Sequence, residues 1–185
     1  GSRCIAIGYL TGQTSQGKES YAIGELAGNN NQGSKSVAVG YYVGAESQKH
    51  MSIAIGNEAG RYNQGGTNGE SLAIGSYAGL NAQGEFAVSL GSRTGQADQG
   101  SASVAIGRVS GSNAQGHNAV AIGHQAAQIS QKSYSIAVGY AAAHTSQGHS
   151  AVAVGISAGQ SNQGNSSVAV GQNAGSTGQG YRSVA

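Results

Sequence analysis

Short alternating segments of the type Ser-Val-Ala-Val-Gly recur along the chain and dominate its pattern of apolar and polar positions. In residues 36–40, 103–107 and 167–171 an aliphatic residue stands on either side of alanine, and glycine ends the segment. Alternation with a period of two, rich in β-branched residues and ended by glycine, is typical of a short β-strand. The pattern therefore predicts an all-β protein built from many strands of about three residues.

The spacing of these segments is nearly constant, which makes the chain a repeat protein. Nine of the ten intervals between closing glycines are 16 residues long, and one is 19 because residues 65–70 carry three extra residues. The closing glycines are Gly8, Gly24, Gly40, Gly56, Gly75, Gly91, Gly107, Gly123, Gly139, Gly155 and Gly171. We number repeat positions from the serine that opens each segment, so that the closing glycine is position 5.

Some repeat positions are nearly fixed and others vary freely. Positions 2 and 4 are aliphatic except Tyr21, and position 3 is alanine except Ser89. Glycine recurs at positions 9 and 14, with Lys49 and Lys132 as the exceptions at position 14. Position 13 is glutamine in every repeat: Gln16, Gln32, Gln48, Gln64, Gln83, Gln99, Gln115, Gln131, Gln147, Gln163 and Gln179. Fixed positions indicate structure, and variable positions indicate a solvent-facing surface.

A repeat of 16 residues with three glycine positions has room for one coil of a β-solenoid: a strand, a turn, a second extended piece and a return turn. Parallel pairing of successive coils would place them about 4.8 Å apart along the axis. We expect a single solenoid domain of about eleven coils over residues 4–185, cut from a longer fibrous protein, with residues 1–3 as a lead-in left by cloning. We expect positions 2, 4 and 8 to face the interior, and positions 1, 3 and 5 to form a smooth outer face.

The composition is consistent with a thin core. Leu, Ile, Val and Phe together make 30 of 185 residues, about 16%, while glycine contributes 33 residues. About three interior side chains per coil barely offset the ordering entropy of 16 residues, at roughly 1.5–3 kcal/mol for each buried aliphatic side chain. The composition therefore predicts a rod that is marginal alone and gains stability by homo-oligomerisation.

The segments Ser-Val-Ala-Val-Gly at 36–40 and 167–171 and Ser-Val-Ala-Ile-Gly at 103–107 resemble the head repeats of YadA-like trimeric autotransporter adhesins. The resemblance extends over essentially the whole chain and implies a left-handed parallel β-roll, a homotrimer, and a bacterial cell-surface fibre that attaches to a host protein, matrix or glycan. The family's commonest repeat is shorter, near 14 residues. Similar 16-residue arrays also resemble parts of phage and large-virus fibre proteins, which implies a virion fibre as the alternative location.

Two sets of residues are candidates for special roles. We interpret the glutamines of position 13 as a structural amide ladder; the alternative is a flat polar array that binds sugars or ice. Exposed tyrosines suit recognition of sugars or proteins, although tyrosines can equally cover neighbouring coils or subunits. The candidates for surface recognition are Tyr9, Tyr41 and Tyr140 at position 6, and Tyr42 and Tyr77 at position 7.

Other chemistry has little support in the sequence. His50, His117 and His149 share position 15, and in one chain His117 and His149 would be about 10 Å apart, too far to bind one metal ion. Asp98 is the single aspartate, and the six glutamates are scattered. We therefore expect no catalytic, metal or cofactor site, and treat a glycan hydrolase and an ice-binding solenoid as rivals. The net charge of +2, without a basic cluster, gives no indication of nucleic-acid binding. No apolar run is long enough to insert into a membrane.

Overall fold

The computed structural model describes residues 2–185, and its regular elements are all β-strands. Gly1, the first residue of the predicted lead-in, lies outside the described residues. Between Ser2 and Ala185 there is no helix, and so no helical segment that could cross a membrane. The predicted all-β class is confirmed.

The strands form two parallel sheets. The first sheet has eleven strands: β1 (Ile5–Ile7), β2 (Tyr21–Ile23), β3 (Val37–Val39), β4 (Ile53–Ile55), β5 (Leu72–Ile74), β7 (Val88–Leu90), β9 (Val104–Ile106), β11 (Val120–Ile122), β13 (Ile136–Val138), β15 (Val152–Val154) and β17 (Val168–Val170). The second sheet has six strands: β6 (Asn81–Gln83), β8 (Ala97–Gln99), β10 (Asn113–Gln115), β12 (Ile129–Gln131), β14 (Thr145–Gln147) and β16 (Ser161–Gln163).

The register follows the repeat throughout. Each strand of the first sheet pairs in parallel with its copy one coil away, as Val120 pairs with Ile136 and Ala121 with Ala137. Isolated bridges extend the second sheet towards the N-terminal coils, for example from Tyr62 to Asn81. The result is the predicted β-solenoid, with about ten turns where we expected about eleven coils.

The long repeat keeps this register because its three extra residues leave the coil at a corner. Ile53 of β4 still pairs with Leu72 of β5. The inserted loop is fastened to the next coil, since the backbone N–H and the side-chain amide of Asn68 both donate to the Glu85 carboxylate.

The interior differs from our expectation. Alanine at position 3 is fully buried from Ala22 to Ala169, and serine or alanine at position 1 is buried with it. The side chains at positions 2 and 4 point outward instead, so the prediction that they line the interior was wrong. Position 8 is buried as predicted, for example at Ala27 and Ala158. The coil is flat, and the space between its two sheets is filled mainly by alanine, serine and the slender glutamine; Val43 and Thr94, both at position 8, are the larger exceptions.

The corners of each coil are tight. Glycines at positions 5 and 9 have positive φ, whereas most glycines at position 14 do not. Position 14 is instead crowded: a Cβ on Gly100 would lie 2.6 Å from the backbone nitrogen of His117. Non-glycine residues at positions 7, 12 and 16 also adopt the left-handed region, including Val109 (φ 60°) and Tyr134 (φ 63°). Residue types at these positions vary freely, so no sequence pattern indicated this conformation.

Candidate functional site

The most extensive surface feature is a continuous apolar strip. We define the apolar strip as the outward side chains at positions 2 and 4 of the eleven strands of the first sheet. Exposed fractions reach 59% at Ile7 and Val170 in the end coils and are still 38% at Ile55 and 40% at Leu90 within the rod. Exposed apolar patches larger than a few hundred Å² usually mark an interaction surface.

Charge is excluded from this strip. None of the nine Lys and Arg residues or the seven Asp and Glu residues occupies positions 1–5 of a repeat. The two positions that flank the strip, 6 and 16, are mixed: most of their residues are polar or charged, and some are exposed and apolar. The exposed apolar ones are Tyr9, Tyr41, Tyr140 and Ile156 at position 6, and Met51, Phe86 and Tyr134 at position 16.

The second sheet presents a contrasting polar face. Its positions 11 and 12 are mostly Asn, Ser, Thr and Ala, and their side chains face solvent while position 13 faces the interior. Two neighbouring residues point outward because residues at position 12, such as Ala114 (φ 55°), are left-handed and break the usual alternation of a strand. Thr145 Oγ1 donates to Ser161 Oγ at 3.2 Å, which links two coils along this face. We call positions 11 and 12 of all coils the polar face.

The structure places the position-13 glutamines inside the solenoid. From Gln32 to Gln163 their side chains are no more than 2% exposed. Each Nε2 donates to the carbonyl oxygen of position 2 in its own coil, as Gln64 does to Ile53 at 2.7 Å and Gln147 to Ile136 at 2.8 Å. The amide thus ties the second sheet to the first across the flat interior. Buried in this way, it does not offer a surface array to a sugar or to ice.

Several of these amides keep an unused acceptor. Buried Oε1 atoms without a hydrogen-bond partner belong to Gln32, Gln48, Gln83, Gln115, Gln131 and Gln179. Gln99 differs, because Ser89 Oγ donates to its Oε1 at 2.6 Å. Ser89 is the one residue at position 3 that is not alanine.

The predicted recognition tyrosines do not form one site. Tyr9, Tyr41 and Tyr140 are exposed, whereas Tyr42 and Tyr77 are half-buried. Tyr41 and Tyr42 touch edge to face with their centroids 5.2 Å apart. Tyr140 lies far along the rod from them and stacks on His124 at 5.3 Å. The sequence pattern indicated exposed tyrosines but could not show which of them are in contact in the fold.

Arg61 forms a cluster with two of the tyrosines, which the sequence reasoning missed. Its guanidinium carbon lies 4.2 Å from the Tyr42 ring centroid and 4.7 Å from that of Tyr62. Its Nη1 pairs with Glu58 at 2.7 Å. Burial, the largest single influence, lowers the pKa of Arg61, but the hydrogen bond to Glu58 and the favourable charge interactions with Tyr62, Glu58 and Tyr42 together raise it above its ordinary value. The cluster thus links two successive coils, since Tyr42 belongs to one coil and Glu58, Arg61 and Tyr62 to the next.

A few histidine and cysteine side chains have defined contacts in the part of the chain that the structure describes. Among residues 2–185 no group of three His, Cys, Asp or Glu side chains could hold a metal ion. His117 Nδ1 accepts a hydrogen bond from the Ser101 N–H at 3.1 Å. Hydrogen bonding to the backbone of Ser20 lowers the pKa of the Cys4 thiol, in the first coil.

Fold and surfaces together define a β-solenoid repeat protein with one apolar side and one polar side. Comparison with protein-family models, with curated proteins and with solved structures found no match.

Proposed function

We propose that this chain is a non-enzymatic, homotrimeric fibre module, similar to the heads of YadA-like adhesins, that attaches a surface fibre to a host or matrix surface. The apolar strip is the observation that carries the proposal. It runs the length of the rod, contains no charged residue, and lies opposite a polar face suited to water.

The size of the strip supports self-association. At the exposures found along it, the strip offers on the order of 1,000 Å² of surface per subunit, somewhat more than the roughly 800 Å² that each partner buries in a standard interface. A solenoid whose own interior is mainly alanine, serine and glutamine gains little from internal burial. Packing valine and isoleucine between subunits would supply the missing hydrophobic stabilisation.

The flanks of the strip favour three copies over two. In a face-to-face dimer the strips would cover each other, but Tyr41 at position 6 and Phe86 at position 16 would remain in solvent. Three rods around a common axis bring the position-6 flank of one subunit towards the position-16 flank of the next. Such heterologous contacts close into a ring, as cyclic symmetry requires.

In this arrangement the polar face and the corners remain outside and would meet the ligand. The same architecture also serves as a rigid spacer within a fibre, whether on a bacterial surface or on a virion. An ice-binding solenoid is the rival that uses the same strip, because a flat regular array of side chains also suits ordered water.

Sedimentation equilibrium tests the assembly. We expect a mass of three times 18.2 kDa for the wild type. Ile122→Glu places a charge in the strip and should shift the protein towards monomer, while Asn113→Glu places the same charge on the polar face and should leave the trimer intact. A wild-type monomer at micromolar concentration contradicts the proposal.

A thermal-hysteresis assay on the same samples distinguishes the fibre module from an ice-binding solenoid. We expect no hysteresis from a trimer whose strips are covered. Monomers that show hysteresis, abolished by Ile122→Glu but kept by Asn113→Glu, would establish ice binding instead.

A further inference from the structure

Two adjoining open pockets lie at repeat positions 12–15, where the chain leaves the second sheet. One, of about 230 Å³, is lined by Asp98, Gln115, Ser130 and Lys132, among others. The second, of about 440 Å³, is lined by Ser130, Lys132, Ser146, Gln147, Gly148, His149 and Asn165. The larger one falls within the size range of small-molecule sites, roughly 300–1,000 Å³. We call the pair the Lys132 groove.

Lys132 and Ser130 line both pockets, and Lys132 is the only charged residue common to the two. Lys132 occupies position 14, where nine of the eleven repeats have glycine. A Cβ at this position crowds the next coil elsewhere: on Gly148 it would lie 2.6 Å from the backbone nitrogen of Asn165. This repeat therefore has a long cationic side chain at a position where the stacking of coils usually favours glycine.

The charge of Lys132 has no internal partner. Among residues 2–185 the ion pairs are Arg3 with Glu19 and Arg61 with Glu58. The larger cavity has no carboxylate in its lining. Asp98 lines the smaller cavity two coils away, about 10 Å along the axis at the spacing of parallel strands. Lys132 is therefore free to pair with an external anion.

The other lining groups suit a hydroxylated ligand. Ser130 and Ser146 carry hydroxyls at the polar face, and His149 and Asn165 follow at position 15 of successive coils. The His149 N–H donates to Asn165 Oδ1 at 2.8 Å, which orients the amide. Donors and acceptors spaced along the rod match the repeated hydroxyls of a saccharide better than the compact outline of an inorganic anion.

The geometry points to the Lys132 groove as a binding site for a carboxylate-bearing saccharide, with the carboxylate on Lys132 and the sugar hydroxyls on the serines, His149 and Asn165. The proposed ligand would be the one to which the fibre attaches. This inference rests on the function proposed for the trimer, because positions 12–15 must stay outside the contacts between subunits.

Titration calorimetry with two acidic probes tests the site. A sialylated glycan is represented by 3′-sialyllactose and a matrix polymer by a hyaluronan tetrasaccharide, with lactose as the neutral control. We expect at least one acidic probe to bind, and the pattern identifies the source of the carboxylate. Lys132→Gly should weaken that binding about tenfold or more, since it removes a charge-assisted hydrogen bond. Lys132→Gly restores the residue usual at position 14, so it should fold at least as well as the wild type.

Lys49→Gly is the matched control, because it removes the same charge from the same repeat position outside the groove. It should bind the acidic probe with unchanged affinity. The site is overturned if neither acidic probe binds better than lactose, or if Lys49→Gly weakens binding as much as Lys132→Gly. Sedimentation of the same samples reports the trimer separately, so loss of assembly is distinguishable from loss of the site.

Discussion

At the scale of single residues, the solenoid depends on what its buried glutamines can reach. The Nε2 of every position-13 glutamine donates to the position-2 carbonyl oxygen of its own coil, as Gln131 does to Val120, but most of the glutamine Oε1 atoms have no donor. Position 3 lies directly opposite, and alanine there has nothing to donate. Ser89 shows that a hydroxyl at this position fits and reaches Gln99.

We therefore expect Ser89→Ala to destabilise the protein by about 1–3 kcal/mol, because the Gln99 Oε1 is left buried without a partner. The reciprocal change, Ala105→Ser, should stabilise it by about 0.5–1.5 kcal/mol by giving the Gln115 Oε1 a donor. Urea denaturation of both variants measures the free energies of unfolding. Equal, small effects of the two changes would show that the orphan acceptors carry no cost.

At the scale of the coil, the closing glycines stack in a column. The backbone of each one fills the space that a Cβ on the closing glycine of the previous coil would need. A Cβ on Gly107 would lie 2.5 Å from the carbonyl oxygen of Gly123. Gly171, in the last complete coil, has nearly the same φ but no such neighbour, with Ala174 Cβ at 4.0 Å as the nearest atom. Stacking, and not φ alone, thus requires glycine inside the rod.

Gly107→Ala should therefore cost about 1–3 kcal/mol more than Gly171→Ala, the amount typical of overpacking. Both variants bear the strain of alanine at positive φ, so their difference isolates the clash between coils. Urea denaturation midpoints, compared at equal protein concentration, give the difference. Similar midpoints would indicate that backbone conformation alone selects glycine at position 5.

At the scale of the whole molecule, stability and assembly should be inseparable. The interior of one solenoid is lined by small and polar side chains, and most of its valine and isoleucine surface faces outward. Proteins stabilised by association unfold at temperatures that rise with protein concentration. We expect the melting temperature of the wild type to rise by several degrees over a hundredfold increase in concentration.

Ile122→Glu should lower the melting temperature and remove its concentration dependence, while Asn113→Glu should preserve both. Differential scanning fluorimetry across the dilution series makes the comparison. A wild-type melting temperature that does not change with protein concentration would mean that the single solenoid is stable without association.

Much of the architecture could be predicted from the sequence because the repeat is regular. The strands, their parallel register and the turn glycines at positions 5 and 9 all follow from spacing and residue type. The side that faces inward did not follow, because alternation separates two faces without stating which is buried. We placed valine inside and alanine and serine outside because protein cores usually contain the larger aliphatic residues. In this flat coil the alanine and serine face is buried and the valine face is outside.

For the candidate sites, too, the sequence indicated the residues and the structure showed their surroundings. The glutamine column was visible as an invariant position, and its role became clear only from its burial and its bond to position 2. The Lys132 groove left one trace in the sequence, a lysine in a column of glycines, and its cavities depend on how three or more coils stack.

The sequence by itself thus determined a parallel β-solenoid, since sixteen-residue periodicity leaves few other ways to satisfy the backbone. The tertiary structure decided which face is covered, because only the distance between the two sheets fixes the size of side chain that fits between them.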